Sequence, residues 1–353
     1  MGKTDTVAAR DRDAPVHTLR AEFTGSGGEY FRVWVVNLLF SLLTLGVYSA
    51  WAKVRRKKYL YGCTRLDGDS FDYFARPQAI LKGRIVAVAA LGVYALVGEL
   101  YPESRIAFWG LAAIAAPWVI VRALIFNARN SAWRGLRFHF NGTPGQAARI
   151  FLGLLAVSAL TAGLAYPWFV ARQKRFVLGS HAFGASRLGC DASTRAFFGL
   201  YLRAGLLLLA LVAPLMALAG YAVFALRSHA SVAPLAFALP LIGVYAAYLA
   251  VYGYVQARST NLLWNSAYGP GLRFSSSLEA KKLIGIYFGN IVAVACSAGL
   301  LIPWAVVRTL KYRLRCFAVL VDQELEHEAD PNFARVGATG QELGDFFNLD
   351  LGV

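Results

Sequence analysis

Three short stretches carry side chains suited to holding an anionic group at a membrane surface. In each, a Thr or Ser precedes a Gly by two residues, a Trp follows the Gly by five, an Arg follows the Trp by four, and a Lys or Arg with an aromatic comes next. The first is Thr44, Gly46, Trp51, Arg55, Lys58 and Tyr59; the second is Thr161, Gly163, Trp168, Arg172, Arg175 and Phe176; the third is Ser297, Gly299, Trp304, Arg308, Lys311 and Tyr312. A shorter version, Trp118 with Arg122, follows Pro117. An indole prefers the headgroup level, and Lys or Arg just beyond it can reach lipid phosphates. A Trp and an Arg four apart share one face of a helix. These residues are expected to act as interfacial anchors or anion contacts, with phospholipid, and anionic headgroups in particular, as the partner.

Two further polar residues lie inside apolar runs. Asn37 and Asn290 each stand seven residues before the Thr or Ser of their stretch, Thr44 and Ser297. Two helical turns place each on the same face as that hydroxyl. Hydrogen bonding between helices is the expected role, with the lining of a solute path as the other reading. Arg122 and Arg203 stand near segment ends, where they can snorkel.

Other chemistry is not indicated. The five histidines, His17, His139, His181, His229 and His327, fall in separate loops and tails. Cys63, Cys190, Cys296 and Cys316 form no C-x-x-C pair. No zinc-protease, phosphate-loop, nucleophile-elbow or dinucleotide fingerprint occurs. No metal, cofactor or catalysis is expected.

The elements that must position these residues follow from composition. The 353 residues include 36 Lys and Arg against 20 Asp and Glu, a net charge of +16, yet only 16% are charged and 57% are hydrophobic. An ordinary soluble chain runs at about 25% charged. Here the mean hydropathy is +0.48. A nucleic-acid binder would spread its charge over a polar surface, so no nucleic acid is expected. Apolar runs of the length that crosses about 30 Å of hydrocarbon occupy Val33 to Trp51, Ile85 to Tyr101, Ile106 to Phe126, Ile150 to Val170, Phe197 to Leu226, Val232 to Val255 and Leu283 to Val307. The polar residues 1–30 read as a retained tail, 31–321 as the membrane domain, and 322–353 as an acidic solvated tail.

The chain also repeats itself. Leu19-Arg20, Phe23, Gly25, Gly28, Thr44, Gly46, Trp51 and Arg55 recur 117 residues on, without a gap, as Leu136-Arg137, Phe140, Gly142, Gly145, Thr161, Gly163, Trp168 and Arg172. A further 136 residues on, Leu272-Arg273-Phe274, Gly299, Pro303-Trp304 and Arg308 follow. Three copies are expected, at 19–62, 136–179 and 272–315.

Counting basic residues distinguishes two topologies. If all seven runs cross, 16 Lys and Arg fall on one side and 20 on the other. If the three repeat segments dip in and return while only two helical hairpins span, Arg105 and Arg227 alone are external and the other 34 are cytoplasmic. The positive-inside rule favours the second arrangement. Gly46, Gly163 and Gly299 supply the break such re-entry needs. Cys190 is then cytoplasmic, as is the C-terminus.

The fold expected is therefore an all-α integral membrane protein with four to seven membrane helices. Between the segments, Phe71 to Tyr73, Phe138 to Phe140 and Phe274 suggest short β-like loops by their aromatic alternation. Asp67-Gly68 and Asn141-Gly142 are their turn signals.

At these residues the chain resembles the YjgN family of bacterial inner-membrane proteins. The resemblance is carried by Phe23 to Phe31, Val36-Asn37, Thr44 to Tyr48, Trp51-Ala52, Arg56 to Tyr61, Gly68 and Phe71 to Tyr73. One departure is Ser49-Ala50 before Trp51, where the later copies have Pro167 and Pro303. The resemblance implies a multi-pass protein of the bacterial inner membrane and supplies no substrate.

Two functions fit. A transporter or channel for a small solute, not driven by ATP, would use repeated helix breaks and equivalent intramembrane Asn residues. A membrane-organising or anionic-lipid-binding protein would use the basic, Trp-flanked repeats. Transport is the leading expectation, because breaks at membrane depth cost stability.

Overall fold

Three of the apolar runs are broken and refold as pairs of helices. In the computed structural model, which describes residues 17–184, 186–225 and 233–321, β1 (His17–Phe23) leads into α1 (Gly27–Leu43) and α2 (Ser49–Cys63). A hairpin of β2 (Thr64–Leu66) and β3 (Asp69–Tyr73) follows, then α3 (Pro77–Leu100) and α4 (Ser104–Asn130). The second set comprises β4 (Ser131–Trp133), β5 (Leu136–Phe140), α5 (Pro144–Ala148), a π-helical stretch over Arg149–Leu154, α6 (Leu155–Leu160) and α7 (Tyr166–Gly179). Then come β6 (His181–Phe183), β7 (Ser186–Arg187), β8 (Gly189–Cys190), α8 (Thr194–Ala225) and α9 (Ala233–Trp264). The last set is β9 (Ala267–Gly269), β10 (Leu272–Ser276), α10 (Ala280–Cys296), α11 (Ile302–Arg315) and β11 (Phe317–Val321).

The helix starts are written locally. Ser26 accepts from the Glu29 N–H at 3.1 Å while Glu29 accepts from the Ser26 N–H at 3.4 Å. This reciprocal pair satisfies two of the donors a helix start leaves orphaned. Thr143 and Gln146 do the same for α5. Pro77, Pro144, Pro167 and Pro303 occupy first-turn positions, where a missing N–H costs nothing.

The three breaks have one geometry. Leu45, Ala162 and Ala298 have φ of 49°, 48° and 47°, and the glycines after them 91°, 88° and 91°. The N–H of Gly46 reaches back to Ser41 O at 2.7 Å, that of Gly163 to Ser158 O at 2.7 Å, and that of Gly299 to Val294 O at 2.8 Å. This six-to-one bond, with the residue before each Gly bonding three back, is the Schellman ending of a helix. Thr44, Thr161 and Ser297 complete it by accepting from the N–H four residues on, at 2.9, 3.1 and 3.0 Å. At these glycines a side chain would be strained by the left-handed backbone.

The loops correct the expectation of an all-α protein with short β-like loops. They form one sheet of eleven strands in the order β7-β6-β5-β4-β3-β2-β1-β11-β10-β9-β8, with every recorded pairing antiparallel. The two end strands, β7 and β8, are separated in sequence by Leu188 alone, so the sheet curls back on itself like a barrel. Each strand of two to seven residues is weak evidence alone; edge-to-edge pairing makes the sheet. Of the residues 1–30 expected as a polar tail, those from His17 onward include β1 and the first turn of α1. Asp67-Gly68 turns β2 into β3, whereas Asn141-Gly142 joins β5 to α5, and the neighbouring hairpin turns at Arg134-Gly135.

Side chains alternate across this sheet. Leu66, Phe71, Trp133, Phe138, Phe183, Leu272 and Phe274 share one apolar cluster with Val319 and Val321. Trp133 is 4% exposed. Its ring centroid lies 6.2 Å from that of Phe71 and 5.7 Å from that of Phe183. The barrel interior is thus packed with aromatic rings. Arg20, Arg137 and Arg273 stand at the opposite parity in their strands.

All five helical excursions begin and end on paired strands. Phe23 pairs with Thr64 around α1 and α2, and Tyr73 with Ser131 around α3 and α4. Phe140 pairs with His181 around α5 to α7, Cys190 with Ala267 around α8 and α9, and Ser276 with Phe317 around α10 and α11. Among the described residues, three helices are long and apolar enough to cross a membrane: Pro77–Leu100, Ser104–Asn130 and Thr194–Ala222. α9, of 32 residues, packs along α8. Leu91, Leu96, Ile114, Leu206 and Leu209 are exposed on these helices, as a lipid-facing surface requires. The linker 226–232 and the acidic tail 322–353 lie outside the described residues.

Candidate functional site

The two Asn residues expected at membrane depth each close upon their own hairpin. Asn37 is 8% exposed and Asn290 9%. Asn37 Nδ2 donates to Ala52 O at 3.3 Å, and Asn290 Nδ2 to Ala305 O at 3.2 Å. Both bonds clip the descending helix to the ascending one across fifteen residues. Asn290 also donates to Thr309 Oγ1 at 2.9 Å and accepts from Arg308 Nη1 at 3.5 Å. Asn37 Oδ1 has no hydrogen-bond partner. Asn290→Leu is therefore expected to lower stability by roughly 0.6–1.7 kcal/mol, the range of interhelical bonds in membranes. Asn37→Leu should cost less, because it also removes a buried orphan acceptor. Thermal unfolding in detergent measures the difference.

The Trp and basic residues divide between two roles. The Arg308 guanidinium lies 5.1 Å from the Trp304 ring centroid, and that of Arg122 5.3 Å from Trp118, so the spacing of four places each pair on one helix face. Trp51 is half-buried and stacks on Tyr48 at 6.3 Å. Trp168 is half-buried and Arg172 exposed. Arg175 donates to Thr194 Oγ1, which ties α7 to α8. Lys311 is half-buried on α11. Arg55 and Lys58 are exposed on α2.

The opposite face of α2 holds what the sequence reading passed over. Between α1, α2 and α3 lies a cavity of about 340 Å³, lined by Tyr30, Trp34, Asn37, Leu38, Ser41, Ser49, Ala52, Lys53, Arg56, Lys57 and Arg84. Four of these residues are cationic and none is acidic. Lys57 is 7% exposed; its Nζ donates to Asn127 Oδ1 at 3.1 Å and lies 5.4 Å from the Tyr73 ring centroid. Arg84 donates to Ser49 Oγ and so fastens α3 across the mouth of α2. Of the candidates named from sequence, Asn37 alone reaches this cavity. Lys53, Arg56 and Lys57 stand at i, i+3 and i+4, one helix face, and that periodicity was the signal available.

The collar between hairpins and sheet is titratable at His181. Its Nδ1–H donates to Val177 O at 2.6 Å, and its ring meets Phe140 edge-on at 5.1 Å. Burial holds its pKa below the usual histidine value, opposed by that backbone bond. The unfolded chain then binds a proton near pH 6.5 that the folded one still refuses. Stability is complete above that pH and falls as pH drops below it. The thermal midpoint of His181→Gln is expected to decline less between pH 7 and pH 5.5. Burial likewise pushes the Cys190 thiol up, with Sγ 3.9 Å from Leu263 O, so Cys190 is a poor topological reporter.

Among the described residues no group of three His, Cys, Asp or Glu comes together. Long apolar helices bearing exposed leucines, joined by a sheet that carries the polar connections, define a helical membrane protein. Residues 18–346 match the family described as "Bacterial protein of unknown function (DUF898)", and the chain belongs to that family. The inner membrane protein YjgN of Salmonella typhimurium is 31% identical over 130 residues, 36% of this chain and 32% of the relative. YjgN of Escherichia coli K12 is 40% identical over 63 residues, 18% of this chain and 15% of the relative. The chain thus aligns with a third or less of the length of these curated relatives. No solved structure matches. The resemblance to the YjgN family is borne out.

Proposed function

We propose that this is an inner-membrane protein that binds anionic lipid and organises one leaflet, through three re-entrant hairpins hung from a cytoplasmic barrel. One observation carries the reading: each broken segment leaves and rejoins the same sheet at directly paired residues, with an apolar tip between. Leu45 is 95% exposed, and Leu43, Leu160, Leu164 and Leu300 are also exposed at the tips. The eleven residues from Val33 to Leu43 rise about 16 Å, roughly half the hydrocarbon thickness. On the return, Lys53 comes four residues after α2 begins, and Arg172 and Arg308 come six residues into α7 and α11. Helices charged so early are suited to dipping and poorly suited to crossing. α3, α4, α8 and α9 then span, and the basic collars meet phosphates on one face. The three like hairpins are read as copies of one ancestral unit, and the protein as non-catalytic.

Transport of a small solute is the second reading, favoured by the polar cavity beside the first hairpin. The Asn residues named for that role clip their hairpins, which shifts the weight to lipid. Reconstitution tests both. Protein purified in mild detergent and exchanged into mixed phosphatidylcholine and phosphatidylglycerol nanodiscs should enrich the anionic lipid around itself, and the enrichment should weaken with salt. Equal lipid composition in loaded and empty discs would overturn the lipid reading. A solute flux lost on blocking the cavity would favour transport.

A further inference from the structure

The basic collars are common to all three hairpins; the cavity described above lies beside the first. The repeat places Val170, Gln173 and Lys174 in the second copy where Lys53, Arg56 and Lys57 stand in the first. The third copy has Val306, Thr309 and Leu310. Arg84 adds a fourth cation from α3, and its counterpart 117 residues on is Tyr201. Hairpins with the same backbone break therefore differ in charge here: four cations at these positions beside the first, one beside the second, and none at the three positions of the third.

We propose that the cavity between α1, α2 and α3 is a binding site for a phosphate-bearing anion, with the headgroup of an anionic phospholipid as its source. This rests on the lipid-binding reading above and assigns it a place. Lys53, Arg56, Lys57 and Arg84 together in one wall favour a ligand of more than one negative charge, or two phosphates together. The cavity, of about 340 Å³, has room for many waters and for more than one phosphate. Lys57, more than nine-tenths buried, supplies a charge at the cavity wall whose interaction is little screened. Arg56 is exposed and Lys53 half-buried, so the cavity has a solvated side. Exposed Leu39, Leu42, Ile85 and Val86 on α1 and α3 provide apolar surface for acyl chains beside it. Arg84, held by Ser49, tethers the transmembrane pair to the hairpin. An occupied cavity would stiffen that joint.

The test compares two double variants of one helix with equal loss of charge. Lys53→Gln with Arg56→Gln strips the cavity; Arg55→Gln with Lys58→Gln strips the outer face of α2. Binding of cardiolipin, phosphatidylglycerol and phosphatidylcholine to the full chain in detergent is measured by native mass spectrometry, with inorganic phosphate and glycerol 3-phosphate as competitors. Cardiolipin affinity is expected to fall at least tenfold in the cavity variant, and at least fivefold further than in the outer-face variant. Arg56→Gln alone, at an exposed side chain, should show the same direction if the double variant fails to fold. Equal losses in the two double variants would overturn the cavity site while leaving lipid binding intact. Failure of the wild type to prefer anionic lipid would overturn the lipid reading itself. Inorganic phosphate binding with the same residue dependence, while lipid does not bind, would support the anion site with a soluble ligand.

Discussion

Trp133→Ala is expected to destabilise the protein by about 3–5 kcal/mol, the cost of truncating a large buried aromatic. Trp133 lies at the middle of the barrel interior, against Phe71 and Phe183. The Arg134 guanidinium lies 4.6 Å from its ring centroid, and Arg134 is paired with Asp67 at 3.0 Å and with Asp69. The loss would open a cavity between β3, β4, β5 and β6 and loosen the tips of two hairpins together. Trp133→Phe should be far milder, because the indole Nε1 has no hydrogen-bond partner and its removal relieves a buried orphan donor. Thermal unfolding in detergent, followed by near-ultraviolet circular dichroism, measures both. A Phe variant as unstable as the Ala variant would contradict the packing argument.

Labelling of single cysteines should give an all-or-none result. In a background lacking Cys63, Cys190, Cys296 and Cys316, Arg187→Cys on β7 is expected to resist a membrane-impermeant thiol reagent in intact cells and to react fully in inverted vesicles. Tyr101→Cys, in the exposed link between α3 and α4, should behave in the opposite way. Arg187 and Tyr101 are both exposed, which avoids the buried thiol of Cys190. Labelling of both positions from outside would eliminate the one-sided barrel, and with it the re-entrant arrangement.

Much of this architecture was legible because membrane constraints are coarse. Apolar length marked α3, α4, α8 and α9, and basic residues clustered where the chain returns to the sheet. The Thr-x-Gly and Ser-x-Gly stretches carry a local signature, since two successive left-handed residues and a capping hydroxyl end a helix there. The barrel was not legible. Its strands are local pairs such as Asp69 to Tyr73 against Ser131 to Trp133, separated by 57 helical and linking residues, and no local pattern records which edge meets which. The cavity was missed for a different reason. Residues at matching places in the three hairpins, such as Trp51 and Arg55, stand out in the sequence, whereas Lys53 and Arg56 correspond to Val170 and Gln173 in the second hairpin and to Val306 and Thr309 in the third.

The pairing of β1 with β11 also orders the life of the nascent chain. His17 meets Val321, so the first of the described strands to emerge waits for the last of them. At 5–20 residues per second, the gap of about 300 residues takes roughly 15–60 s to synthesise. β2 can cover one edge of β1 early, since Phe23 pairs with Thr64; the other edge stays open throughout. An unpaired strand edge beside half-assembled aromatics invites wrong partners. Biogenesis therefore has a vulnerable interval that closes when β11 arrives, and a ribosome stalled before Phe317 would leave a protein with its helices in the membrane and its barrel unsealed.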